Sequence, residues 1–292
     1  MRSSGRDGAG SPAGGSVTDT SFVDLFALPG VQRSAWALLV AGVSLPVVGV
    51  LIIGLDVITV RFAVMHTALL GIALGLWWGV PPYGLALGMC AVLGLSLAPL
   101  ASRPAGLSGP MSFVMTMTAA AALLVLSISG VNANGAFEVL WGSILATRPE
   151  DLIVLVVVAV AVLTMFATTR RRLALVLFDR ELALCSGVSV VALTALALLV
   201  VCVSIGSAIR LTGALLVDSV TILPALAARN IARSFGAMVA LAVMFGLVGN
   251  AVGFVAALQF DQPPGPMLVL VAGTITLVTF MPRRRPAIPA LH

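Results

Sequence analysis

Lysine is absent from this chain: all 16 of its basic residues are arginine. A phosphate-binding P-loop needs a lysine to reach the terminal phosphates, so the chain cannot carry a P-loop ATPase site of its own. Charge of either sign is scarce, at 9% of residues where soluble domains have about a quarter. Histidine occurs only as His66 and His292, and no His, Cys, Asp and Glu cluster at short metal-ligand spacing, so no tight metal cage of the usual kind is visible. Any metal route would rely on carboxylates, backbone carbonyls and Met sulfur, whose weak coordination suits a conduit that must also release. The three cysteines, Cys90, Cys185 and Cys202, have no CxxC spacing and read as small hydrophobes. HExxH and GxSxG are both missing, which removes the usual signatures of a zinc protease and of a serine nucleophile beside His66.

What is abundant is apolar: 60% of residues are hydrophobic and the mean hydropathy is +1.15. A bilayer core about 30 Å thick takes roughly 20 apolar residues per helix. Such runs occur near 34–54, 57–79, 82–100, 110–130, 149–168, 187–205, 208–228, 236–258 and 264–281. The fold class is therefore all-α, a polytopic transmembrane helical bundle of about nine spans, eight to ten depending on where breaks such as Leu55-Asp56 are drawn. The stretch 135–146, GAFEVLWGSILA, is too short to span and reads as an interfacial or re-entrant helix. Residues 1–20 are rich in Gly and Ser and read as a disordered tail; 21–282 form the membrane domain and 283–292 a basic tail. The amino terminus lacks the layout of a cleaved secretory signal, so targeting falls to the first span.

With nine spans, one side collects Arg61, Arg103, Arg170, Arg171, Arg172, Arg180, Arg229, Arg233, Arg283, Arg284 and Arg285. The other collects Arg2, Arg6, Arg33, Arg148 and Arg210. The positive-inside rule places the larger set and the C-terminus in the cytoplasm, and the N-terminus outside. The pI of about 10.4 is then a matter of topology, with a net charge of only +5, and implies no nucleic-acid partner.

Ionisable residues in or near the spans are Asp56, Arg61, His66, Glu138, Arg210 and Asp218. Such groups are costly at membrane depth and usually face the bundle interior or a watery path. His66 fits either a hydrogen bond to a neighbouring helix or a metal or proton relay. Asp218 fits either a structural pair with Arg61 or Arg210, or a polar cavity. In FGLVGNAVGF, 245–254, GNAVG fits small-xxx-small helix packing better than a nucleotide loop, since no strand precedes it.

Four segments together resemble a known family. TGALLVDSVTILPALAARNIARSF is similar to the pattern G-A-L-L-[VI]-x-[SA]-L-L-I-[IL]-P-A-x-x-A-R, matched by Gly213 to Val217, Ser219, Ile222 to Ala225, Ala228 and Arg229. LWGSILATRPEDL, 140–152, FDRELALCSGV, 178–188, and FDQPPGPMLVL, 260–270, follow further patterns in the same order. The family is the ABC-3 type permease subunit of bacterial zinc and manganese ABC importers, and the resemblance covers about residues 30–281.

The resemblance implies a multi-pass plasma-membrane permease that imports a divalent cation, zinc or manganese, and holds no tightly bound cofactor. Its implied partners are a cytoplasmic ATPase subunit, an extracytoplasmic metal-binding protein and a second copy of the permease. Pro224, Ala228, Arg229, Arg233 and Phe235 fall in the implied ATPase-coupling segment, where Pro224 is expected to disturb the helix end. His66 and Asp218 are the implied metal-pathway residues.

The departures are specific. In RFAVMHTALLG, His66 and Gly71 match the family's G-D-A-L-[SA]-H-A-x-L-x-G, whereas Arg61 replaces its Gly and Phe62 its Asp. Asp218 stands where the family has a small or hydroxyl residue. A relocated ligand, a permease for another substrate and a non-transporting scaffold that docks an ATPase or signalling partner all fit that exchange; a membrane-embedded enzyme fits least.

Overall fold

The computed structural model of the protein describes residues 28–101, 108–129, 148–178 and 180–281. No strand occurs among the described residues, as expected where lipid offers the backbone no partner and each segment must satisfy its own N–H and C=O groups. The elements are α1 (Pro29–Gly54), α2 (Val60–Trp78), α3 (Pro82–Ala101), α4 (Ser108–Ser129) and α5 (Pro149–Phe178). They continue as α6 (Arg180–Cys185), α7 (Val190–Thr212), α8 (Ala214–Ile231), α9 (Phe235–Gln259) and α10 (Pro264–Phe280). Seven of these are long and apolar enough to cross a membrane, and α10 is a shorter apolar helix. That is roughly consistent with the expected nine spans, with α8, which carries Asp218 and Arg229, in neither class. The two expected tails, and Glu138 in the stretch 135–146, lie outside the described residues.

Local chemistry sets the boundaries. Proline opens α1, α3, α5 and α10, where its fixed φ suits a helix start and its missing N–H costs no bond. Asp56 at φ 55° turns the chain between α1 and α2, and Gly79 at φ 68° caps α2. The Ser234 hydroxyl accepts from the Ala237 N–H at 3.2 Å and caps α9.

Three boundaries correct the sequence reading. The break expected near 206–207 falls at Gly213, whose φ of 77° marks the turn between α7 and α8. Pro224 lies inside α8, which runs past the expected end at 228 to Ile231. In an apolar medium the remaining backbone bonds have no alternative partner, so losing one N–H does not unwind the rest. The apolar run of 149–168 is only part of α5, whose helix carries Arg170, Arg171 and Arg172 on to Phe178.

Two packed groups result, α1 with α8, α9 and α10, and α2 with α3, α4 and α7; α5 packs on α1 and α7, and α7 lies along the seam. Small residues permit the closest approaches. Gly49 of α1 lies directly against the Thr221 carbonyl of α8. The GNAVG stretch packs as expected, with Gly253 against the Leu268 backbone and the Asn250 amide donating to the Leu38 carbonyl at 2.9 Å.

Five exposed arginines gather at one end. Phe235 packs on Phe166 of α5 with ring centroids 5.9 Å apart, and the Asn230 amide donates to Thr279 near the end of α10. The last turns of α5 carry the exposed Arg170, Arg171 and Arg172, while Leu173 is buried and Leu177 lies against Gly54 of α1. Arg229 and Arg233 are exposed at the same end.

Candidate functional site

Arg61, in the first turn of α2, meets Asp218, in the second turn of α8, with Nη1 3.3 Å from Oδ1. The two helices belong to different packed groups and share little other contact, so the ion pair is a bridge across the seam. Its depth follows from the neighbours. Cys90, near the midpoint of α3, points its thiol at the Val64 carbonyl at 3.9 Å. Arg61 stands one turn from Val64, within about 5 Å of that level along the axis. Arg61, grouped by the sequence with the cytoplasmic loop arginines, therefore begins a helix near the middle of the bundle and belongs to no loop.

The surroundings of the pair are incompletely satisfied. Among the described residues, the buried polar side-chain atoms without a hydrogen-bond partner are Arg61 Nε, Ser204 Oγ and Thr221 Oγ1. Thr221 lies one turn from Asp218 on α8. Ser204 lies on α7, two residues from Gly206, which abuts the Cys90 sulfur at the level already set. The guanidinium carbon of Arg61 is 4.5 Å from the centroid of the Phe62 ring, a cation–π contact. A charge pair and unpartnered hydroxyls at mid-depth cost free energy that a purely structural core would avoid, and they mark this level as the candidate site.

His66 is placed differently. Its Nδ1 lies 2.8 Å from the Phe62 carbonyl one turn back in the same helix, so the neighbouring-helix bond weighed from sequence is not the one formed. A carbonyl can only accept, so in the neutral ring Nδ1 carries the proton and Nε2 keeps a lone pair, the state required of a metal ligand. His66 is about 140° around α2 from Arg61, and it makes no bond to Asp218. Asp218 thus takes the partner Arg61, with side-chain exposures of 36% and 19% respectively.

The remaining candidates separate by burial. Pro224 and Ala228 are buried within α8 and Phe235 is half-buried against Phe166, leaving Arg229 and Arg233 as the exposed members of the expected coupling segment. Asp56 is exposed in its turn. The cysteines are free, Cys90 and Cys202 buried and Cys185 exposed, and no group of three metal-ligating side chains occurs among the described residues. Sequence reasoning missed Ser204 and Thr221, since a lone hydroxyl in an apolar run carries no periodic or motif signal.

Comparison with known proteins agrees along nearly all of this architecture. A family model described as the ABC 3 transport family matches residues 28–283. The manganese transport system membrane protein MntC of Listeria monocytogenes is 25% identical over 254 residues, which cover 86% of this chain and 90% of the relative. The high-affinity zinc uptake system membrane protein ZnuB of Haemophilus influenzae is 24% identical over 227 residues, covering 75% and 85%. Among solved structures, PsaBC from Streptococcus pneumoniae in complex with Fab superposes with a TM-score of 0.76 at 22% identity, covering 89% of this chain and 94% of that one.

Proposed function

The chain belongs to the ABC 3 transport family, and on that premise we propose that it is the multi-pass permease subunit of an ATP-driven plasma-membrane importer for a divalent metal cation, manganese or zinc. The observation that carries this reading is the family match over residues 28–283, which takes in the whole described bundle. ATP hydrolysis resides in a separate cytoplasmic subunit, as the missing lysine requires. An extracytoplasmic binding protein delivers the ion, and a second copy of the permease completes the path.

Within that path His66 and Asp218 are the residues that contact the ion in transit, the first through Nε2 and the second as a carboxylate at mid-depth. Neither comes with the further ligands of a permanent site, which suits an ion that has to leave again. ATP-dependent uptake of Mn²⁺ or Zn²⁺ into proteoliposomes holding the complete transporter tests this. His66→Ala and Asp218→Asn should each lower uptake roughly 10–100-fold, the usual cost of disturbing a metal's ligand environment. Unchanged uptake at equal protein levels would remove both residues from the path.

One observation favours a second reading, a scaffold that docks an ATPase without moving cargo: Asp218 is already neutralised by Arg61. ATP turnover measured in the same proteoliposomes separates the two, because a scaffold gives no metal-dependent turnover.

Coupling to the ATPase runs through the exposed basic turn at the end of α8. Arg229→Glu with Arg233→Glu should abolish copurification of the ATPase and leave the melting temperature of the permease unchanged, since both side chains are exposed. Docking that survives the reversal, at low and high salt alike, would place the contact elsewhere.

A further inference from the structure

We propose that Arg61 is a resident counter-cation of the transport path: its guanidinium holds Asp218 until a divalent cargo ion displaces it, and this exchange selects for divalent ions. The inference rests on the reading of the chain as a divalent-cation permease and adds to it a residue whose role is specificity. Arg61 Nη1 sits 3.3 Å from the carboxylate, where a bound cation would be. The arginine is held less fully than a structural one: Nε is buried without a hydrogen-bond partner, the guanidinium lies over the Phe62 ring, and α2 and α8 share little other contact. The pair therefore parts without disrupting a packed interface when the two helix groups shift.

The exchange has a direction set by charge. A monovalent ion brings Asp218 the same single charge as the guanidinium, without its directed hydrogen bond and without being tethered to the site. A divalent ion brings twice the charge to the same oxygens, and the Coulomb term at this depth scales with that product. Sodium or potassium thus gains nothing by replacing Arg61, whereas Mn²⁺ or Zn²⁺ does. The arginine also leaves no free carboxylate in the membrane interior when the path is empty, which answers the cost of an isolated charge there.

The test is equilibrium binding of Mn²⁺ to the purified full-length permease in complex with its ATPase, with Na⁺ as competitor. Arg61→Gln frees Asp218, so the apparent affinity should rise about 10–100-fold if the latch leaves the carboxylate open only about 1–10% of the time. Na⁺ should compete with Mn²⁺ in Arg61→Gln and not in the native protein. The double variant Arg61→Gln with Asp218→Asn should lose the gain. Equal Mn²⁺ binding by Arg61→Gln and the native complex overturns the proposal, as does a gain that persists in the double variant. If Arg61→Gln does not fold, Arg61→Lys serves, because an ammonium keeps the charge without the fork and should give a smaller gain; no gain overturns the proposal. A native complex that imports no divalent ion with ATP would instead defeat the cargo reading, a result obtained independently of the affinity comparison.

Discussion

Gly49→Ala is expected to destabilise the permease by about 3 kcal/mol or more, the upper end of what overpacking costs, and to lower the yield of folded protein in the membrane. A Cβ at this position would lie 2.8 Å from the carbonyl carbon of Thr221 and closer still to its oxygen, and it would also press on Ala225. The obstacle is backbone, so no rotamer change relieves it, and α1 and α8 would have to move apart along their contact. Val48, Val50 and Leu51 are all buried around this crossing, so any separation opens cavities on both sides. Thr221 is one turn from Asp218, and the displacement would carry the carboxylate away from Arg61 as well. Gly84→Ala is the control, since nothing lies within 4 Å of the added methyl and the helix gains about 0.4–1 kcal/mol. Thermal melting in detergent, read beside metal uptake, checks both; a Gly49→Ala protein as stable as the native one would mean that the two helices are not in this register.

Much of the bundle is legible in the sequence because the bilayer imposes a length. Runs of apolar residues, separated by Asp56, by Gly79 to Pro81 and by Asp261 to Pro263, give most helices and their order. What the sequence hides is tertiary. Several of these helices are apolar on every side, so periodicity does not say which face meets protein and which meets lipid. The depth of Arg61 is hidden for that reason: in sequence it follows a turn and reads as a loop arginine, and only the contact between Cys90 and Val64 shows that α2 begins at mid-depth. The break at Gly213 is hidden because the gap between the runs 187–205 and 208–228 takes in Gly206, which is helical and packs against the Cys90 sulfur. The overrun of α5 is hidden because the apolar run stops before Arg170, whereas arginine is a good helix former and the helix goes on to bury Leu173 and to set Leu177 against Gly54 of α1. The resemblance supplied the family but not the pairing of Arg61 with Asp218, since both residues depart from its pattern.

The pairing gives the second large effect. Asp218→Ala strands the Arg61 guanidinium near the middle of the bundle, where a fully buried unpaired charge costs about 3–5 kcal/mol; the 36% exposure of the Asp218 side chain reduces the expected loss to roughly 2 kcal/mol. Arg61→Met with Asp218→Leu removes both charges and should restore the melting temperature to that of the native protein or above it, as apolar replacements of internal ion pairs often do. Uptake of the divalent ion should stay lost in this apolar double variant. The divergence separates the two roles that an internal ion pair can have. If the pair only tied the two helix groups together, regained stability would bring back transport, because shape and packing would be sufficient. If the carboxylate is a stage in the path and the arginine its counter-ion, a stable bundle without them has the architecture of a permease and no place for the ion to pause. A double variant that is stable and transports at the native rate would assign the pair to structure alone, and the path to other groups at the same depth, beginning with the unpartnered hydroxyls of Ser204 and Thr221.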